Sequence, residues 1–335
     1  MVCSGDVFGY HQDRCKRLLR GPGNTDGMII DLQTRIWTSP AQLGKGRPSG
    51  RSKPLASIEA DLNAHEQAMA CVDIVAVHGF RADRLEASIP NEYIAELTRS
   101  NPARLFGIGG IDPTGPDPLG QVEQVLDLGL HGVTLSPMEA GFHPSNSVAM
   151  RVYDRCASKK LPVFINHIHP LTPRCDMTYG HPAGWDDVAQ EYPTLPIVLG
   201  GIGYPWINEA LLLMSKHDHV HATVDGMSGR PWLLYNTLLD ATGMDVMHKL
   251  LFASGFPFDQ PQDLIEMIYS INGIAHGTRL PTINRETIRG IVESDSISML
   301  GLELDPRAAI PPAEQIGDAQ DDRVAMDTIS GEDTA

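Results

Sequence analysis

The chain has 335 residues, 42% hydrophobic and 20% charged, an ordinary composition for a globular protein of one large domain or two modest ones. Its formal net charge of -16 argues against a nucleic-acid or anionic-membrane surface, since both need clustered Lys and Arg; a small anionic ligand stays open, because one Arg can dominate a pocket. The five cysteines are scattered and form no CxxC pair, so they read as free thiols of a reducing compartment. With no apolar run of membrane-spanning length and no secretory leader, the cytoplasm is the expected location.

Residues 1–27 read as an irregular extension ending in "RGPGNTDG", with a true start at Met28 as the alternative. The stretch "MIIDLQTRI" then reads as a strand, "SIEADLNAHEQAMACV" as a helix and "DIVAVHGF" as a second strand. "NEYIAELTRSNP" is a helix ended by proline, before the strand "LFGIGGI"; "DPLGQVEQVLDLGL" and "GVTLSP" form the next pair. "SNSVAMRVYDRCASKKL", capped by Ser145 or Asn146, precedes the strand "PVFINH", and "GWDDVAQEYPTL" precedes "PIVLGGIG". "WINEALLLMSK" leads to "HVHATVDG", and a long helical region leads to "KLLFASGF". From Asp305 to residue 335 an acidic, aromatic-poor tail reads as disordered. Eight strands alternating with helices over residues 28–304 predict a single-domain (β/α)8 barrel. A doubly wound open sheet is the runner-up, but no Gly-rich phosphate turn follows the first strand.

Several stretches carry a resemblance: "HPAGWDDVAQEYPTLPIVLGGIGYPWINEALLLMSKHDHV", "GVTLSPMEAGFHPSN", "SKKLPVFIN" and "KLLFASGFPF". From Met28 to about Leu304 the chain resembles the amidohydrolase-related barrels, in the branch of aminocarboxymuconate-semialdehyde decarboxylase. That branch holds hydrolases, decarboxylases and hydratases acting on carboxylated ring or dicarboxylate substrates, and the resemblance also implies a homodimer. In this family the first strand ends Asp-x-His-x-His and its histidines bind a divalent metal. Histidines ending strands five and six, and an aspartate in Gly-Ser-Asp-x-Pro on strand eight, complete the site. Here those positions hold Gln33, Arg35, Asn166, Gly201 and Gly255.

Arginine is permanently cationic and offers only donors, so Arg35 would repel a cation; glycines 201 and 255 have nothing to coordinate with. No cofactor is therefore expected. Strand alternation puts Asp31, Gln33 and Arg35 on one face, with Asp31 partly holding the guanidinium where the metal charge stood. Such a mouth could hold a small carboxylated molecule through Arg35, Gln33 and Asn166, or the Asp31–Arg35 pair could be a structural plug. The leading expectation is a metal-free binder or inactive relative. The alternative is a hydrolase, hydratase or decarboxylase using Arg-anchored acid–base chemistry, or one divalent metal moved to His78, His167 and His169.

His169 and His181 are further ligand-contact candidates, and His169 and Asp225 are the weak catalytic ones; Asp225 shows no evident partner and favours a turn role. His143 reads as a loop cap. The trio His217, His219 and His221 lies before the seventh strand, far from the mouth, and reads as a solvated strand entry. Cys175 lacks a visible activating base, and Trp185, Trp206 and Trp232 read as packing or dimer contacts.

Overall fold

The computed structural model describes residues 27–44, 57–166 and 172–304; the expected tail at 305–335 and residues 1–26 of the expected extension lie outside them. The strands are β1 (Ile30–Thr34), β2 (Ile74–His78), β3 (Phe80–Ala82), β4 (Ala87–Ile89), β5 (Leu105–Gly110), β6 (Val133–Leu135), β7 (Val163–Ile165), β8 (Ile197–Leu199), β9 (Val220–Thr223) and β10 (Leu250–Leu251). Eight of them form one parallel sheet in the order β1-β2-β5-β6-β7-β8-β9-β10. The sheet closes on itself: Leu32 N–H donates to the Phe252 carbonyl (3.1 Å), Gly255 N–H to Gln33 (3.0 Å) and Arg35 N–H to Phe256 (2.9 Å). This is the expected (β/α)8 barrel, with all eight expected strands present.

The helices are α1 (Leu62–Ala68), α2 (Asn91–Ser100), α3 (Pro118–Asp127), α4 (Pro137–Ala140), α5 (Ser147–Ser158), α6 (Asp186–Glu191), α7 (Ile207–Lys216), α8 (Pro231–Gly243), α9 (Pro261–Tyr269), α10 (Arg285–Val292) and α11 (Ser296–Met299). The longer ones bury one stripe each. In α5, Ala149, Val152, Tyr153 and Cys156 recur at helical spacing and face the barrel, and Asn146 Oδ1 caps the helix by accepting from Val148 N–H (2.9 Å). Inside the barrel a second, smaller core joins Ile30, Leu32, Ala76, Phe106, Ile108, Phe164, Val198, Leu251 and Ala253. Leu300 and Leu302, with Ile297, Met299 and Leu304 beside them, pack onto this inner core and close the floor.

Two local departures from the sequence reading matter. The expected strand "DIVAVHGF" breaks after His78, and Phe80 opens a β3–β4 hairpin over the mouth side. Gly79 permits the break: a Cβ there would stand 2.7 Å from Gly110 N. In β1, Asp31 pairs with Val75 but Thr34 with Val77, so three steps on one strand match two on the other. That extra residue is a bulge, and it resets which side chains face inward.

Tyr153 sits fully buried between Trp185 (ring centroids 5.5 Å) and Tyr192 (6.4 Å), and its hydroxyl finds no hydrogen-bond partner among the described residues. An unsatisfied buried hydroxyl costs stability, whereas the ring supplies packing. Tyr153→Phe is therefore expected to match or exceed wild type by up to about 1 kcal/mol in denaturant unfolding, while Tyr153→Ala loses roughly 3–5 kcal/mol. A clear loss in the Phe variant would mean that the hydroxyl is bonded after all.

Candidate functional site at the carboxyl ends of the strands

Ile30 and Leu32 both lie in the inner core, so unbroken alternation would turn Asp31, Gln33 and Arg35 away from it. The bulge re-aims the last two. Thr34 faces outward, donating to Ala76 O (2.7 Å) with His65 Nε2 at 3.0 Å, while Gln33 and Arg35 reach across the barrel. Gln33 Nε2 donates to Asp225 Oδ2 at the end of β9 (3.2 Å). Arg35 Nη2 donates to Asn166 Oδ1 just past β7, on the far side of the ring, and Asn166 Nδ2 donates to Ser136 Oγ past β6 (2.9 Å). The amide orientations follow from their partners, since a guanidinium only donates and a carboxylate only accepts.

Asp31 departs from its expected place. Its Oδ1 accepts from Ser254 N–H (2.9 Å) and from Gln33 N–H (3.2 Å), so it lies in the seam where the strand-eight end meets β1. It makes no ion pair with Arg35, and the expected Asp31–Arg35 pair is thereby corrected: the bulge separates the two side chains. Burial pushes the Asp31 carboxyl up to about 7 against the Ser254 donors, and its Oδ2 finds no hydrogen-bond partner among the described residues.

Asp225, read from sequence as partnerless, is held on three sides. Its Oδ1 accepts from Thr223 Oγ1 (2.6 Å) and Gly201 N–H (2.8 Å), and its Oδ2 from Gln33. Burial raises its pKa, while Thr223, Gly201 and the Arg35 charge pull it back. Gly201 adopts φ +58° and the β-branched Ile202 φ +50°, a left-handed pair that costs strain and delivers the Gly201 N–H to the carboxylate. Gly255 also has positive φ (+74°), and a Cβ there would stand 3.1 Å from Asp225 Cβ.

His78 ends β2 fully buried, with Nε2 2.8 Å from Leu32 O and its ring edge-on to Phe164 (5.0 Å). Burial and then the Arg35 charge push it down to about 3. His167 and His169 lie outside the described residues. His181 stands on the rim, its ring 4.0 Å from Trp206 and its Nδ1 3.3 Å from Glu209 Oε2, not in the cluster around Arg35. His143 accepts from Ser145 N–H as a loop cap. His217 and His221 are buried rather than solvated: His217 bonds Asp186 (2.7 Å), and both sit at the amino-terminal ends of the strands. Trp185 is buried packing, whereas Trp232 is exposed.

Sequence reasoning missed Ser136, Thr223 and Ser254, which tie the cluster together, although each ends or follows an expected strand. It also missed Asp259 after β10, a carboxyl raised to about 6 by burial and then by Asp225, with Arg230 opposing; Arg230 itself stacks on the Tyr204 ring (4.3 Å).

At the described positions of the family's ligands the donor set is unlike that of a divalent-ion site. A guanidinium stands among them, it takes up the Asn166 oxygen, and the Gln33 amide presents its donor side to Asp225. Among the described residues no group of three or more His, Cys, Asp or Glu is placed to hold a metal. No helix among them is long and apolar enough to cross a membrane.

Fold and cluster together define a (β/α)8-barrel protein with its polar constellation at the strand ends where such barrels carry their sites. The chain belongs to the amidohydrolase family, whose model it matches over residues 30–288. Among solved structures it is similar to an uncharacterised TIM-barrel protein of Bordetella bronchiseptica, with 19% identity over 82% of this chain and 99% of that one and a TM-score of 0.66. It is similar also to a probable 2-pyrone-4,6-dicarboxylic acid hydrolase of Acinetobacter baumannii with citric acid bound (15% identity, 82% and 99%, TM-score 0.55). A third is a dihydroxybenzoic acid decarboxylase of Polaromonas sp. JS666 with bound manganese and the inhibitor 2-nitroresorcinol (14% identity, 82% and 97%, TM-score 0.59). At these identities the likeness is one of fold. No curated protein matches the chain.

The buried groups set a pH dependence. His65 and His78 are held at about 3, so the stability they contribute is present above pH 6.5 and is lost as pH falls and the unfolded histidines take up protons. Asp31 works in the opposite sense: its contribution is present below 3.8 and is lost as pH rises to about 7. Between pH 7 and pH 5, His78→Gln is expected to lose about 2 kcal/mol less unfolding free energy than wild type, and Asp31→Asn to lose more than wild type. Equal losses in all three would show that neither group titrates as its surroundings dictate.

Proposed function

We propose that the chain binds a small carboxylated molecule at the carboxyl ends of its strands through Arg35, without the metal chemistry of its family. The observation that carries this reading is the buried guanidinium of Arg35, 1% exposed, aimed across the mouth at Asn166. A planar, permanently charged donor there suits bidentate binding of a carboxylate. Two similar structures support the class of ligand: one holds citric acid and the other is a dihydroxybenzoic acid decarboxylase. A second reading is favoured by the buried Asp225 carboxyl, whose electrostatic neighbour is Arg35. In it, the protein is a hydrolase or carbon–carbon lyase that anchors substrate on Arg35 and moves a proton at Asp225.

Titration calorimetry with benzoate and 2,6-dihydroxybenzoate tests the first reading. At least one acid is expected to bind, and Arg35→Gln to weaken it by about 30- to 150-fold, the 2–3 kcal/mol of a charged hydrogen bond, at an unchanged thermal midpoint. Binding unaffected by the substitution, or no binding by either acid, would overturn it. Product formation followed by NMR, lost in Asp225→Asn, would shift the choice to the second reading. Metal per purified chain, measured by mass spectrometry, is expected to fall well below one; near-stoichiometric zinc or manganese would defeat the metal-free premise.

A further inference from the structure

We infer that the groove between α7 and α8 is a docking surface, and that its occupant is a basic segment of the chain's own amino-terminal extension, residues 14–20. The groove encloses about 380 Å³, with Trp206, Ile207 and Glu209 at the start of α7 across from Leu233, Asn236 and Asp240 on α8. Two carboxylates, Glu209 and Asp240, belong to its described lining, and no Lys, Arg or His does. Two large apolar side chains lie open beside it: Leu212, one turn beyond Glu209, is 63% exposed, and Trp232, next to Leu233, is 58% exposed. Exposed apolar surface joined to a groove marks a place where another segment packs.

Such an occupant has to be cationic and carry apolar side chains, and the sequence supplies one. Arg14, Lys16, Arg17 and Arg20 fall within seven residues that hold no acid, in a chain whose formal net charge is -16, and Leu18 and Leu19 stand between them. The other dense basic run, from Lys45 to Lys53, has no large apolar side chain among its charges. Leucines suit the apolar lining, and guanidinium groups suit carboxylates through paired donors. The reach is sufficient. The described residues begin at Gly27, and the run from Arg14 to Gly27 spans up to about 45 Å when extended. The 13-residue α8 is only about 20 Å long, so the segment can pass up the outside of the helix layer to the rim. Tethering at Gly27 raises its effective concentration at the groove, so a few modest contacts suffice.

The groove is tied to the mouth. Trp206 N–H donates to Gly203 O (2.9 Å) and Tyr204 N–H to Gly201 O (2.9 Å), in the turn whose Gly201 N–H holds Asp225. Glu209 Oε2 stands 3.3 Å from His181 Nδ1, whose ring lies 4.0 Å from that of Trp206. A segment seated against Trp206 and Glu209 therefore braces the rim loops that follow β7 and β8.

The test uses the full chain, mixed in equal parts with its heavy-nitrogen-labelled form and treated with a water-soluble carbodiimide, which joins an amine to a carboxylate in contact with it. Mass spectrometry is expected to find Lys16 joined to Glu209 or Asp240 within single chains. Hydrogen exchange across 205–212 and 232–240 is expected to quicken by about threefold or more in Arg17→Glu/Arg20→Glu. Adding Glu209→Arg and Asp240→Arg to that variant should return it toward the wild-type rate. Lys16 joined only elsewhere, or exchange unchanged by the charge reversal, would overturn the inference. Links confined to mixed-label pairs would overturn it as well and assign the groove to a second copy of this chain. If the fourfold variant fails to fold, as judged by its thermal midpoint, the wild-type links and the double variant decide.

Discussion

The single extra residue in β1 is the constraint on which the mouth of this barrel depends. Ile30 and Leu32 fill the inner core, and a regular strand would then send Gln33 and Arg35 into the helix layer. The shift between Asp31 and Thr34 lets one short strand supply core packing below and two polar side chains above. It also leaves Asp31 in the seam, where the Ser254 and Gln33 amides hold the closure between first and last strands. Packing, closure and site geometry meet in the six residues from Ile30 to Arg35.

The polar groups thus held form a chain around the ring rather than a knot around one point. Ser136 orients Asn166, Asn166 receives Arg35, Gln33 joins β1 to Asp225, and Asp225 is pinned by Thr223 and the strained turn at Gly201 and Ile202. Two charges anchor the series, the Arg35 guanidinium held by the Asn166 amide and the Asp225 carboxyl held by the Gln33 amide. The backbone strain at Ile202 is the local cost of that arrangement, and it falls where strain commonly accompanies function.

The barrel could be read from the sequence because its signal is redundant. Eight apolar runs, each followed by a helical stripe such as Ala149, Val152, Tyr153 and Cys156, fix the rhythm even where single boundaries shift. The positions of Gln33, Arg35 and Asn166 at strand ends could be read for the same reason. Asp31 could not, because alternation is blind to a bulge that only cross-strand register reveals. Asp225 was underrated because two of its three partners, Gly201 after β8 and Gln33 on β1, lie 24 and 192 positions away, and no local spacing announces them. The β3–β4 hairpin was likewise hidden, since Phe80 continues the apolar run and only the close approach of Gly79 to Gly110 breaks it.

The floor of the barrel has a practical meaning. Leu300 and Leu302 plug it from below, and Gly27, whose Cβ would collide with Glu293, enters beside the same end. The described chain therefore begins and finishes on the face opposite the Arg35 mouth. A tether or fluorophore attached at a surface residue beside Gly27 or Leu302 would sit on that face and leave the Arg35 mouth turned outward. The same polarity means that a partner grasping the floor would hold the barrel on the side opposite the Arg35 cluster.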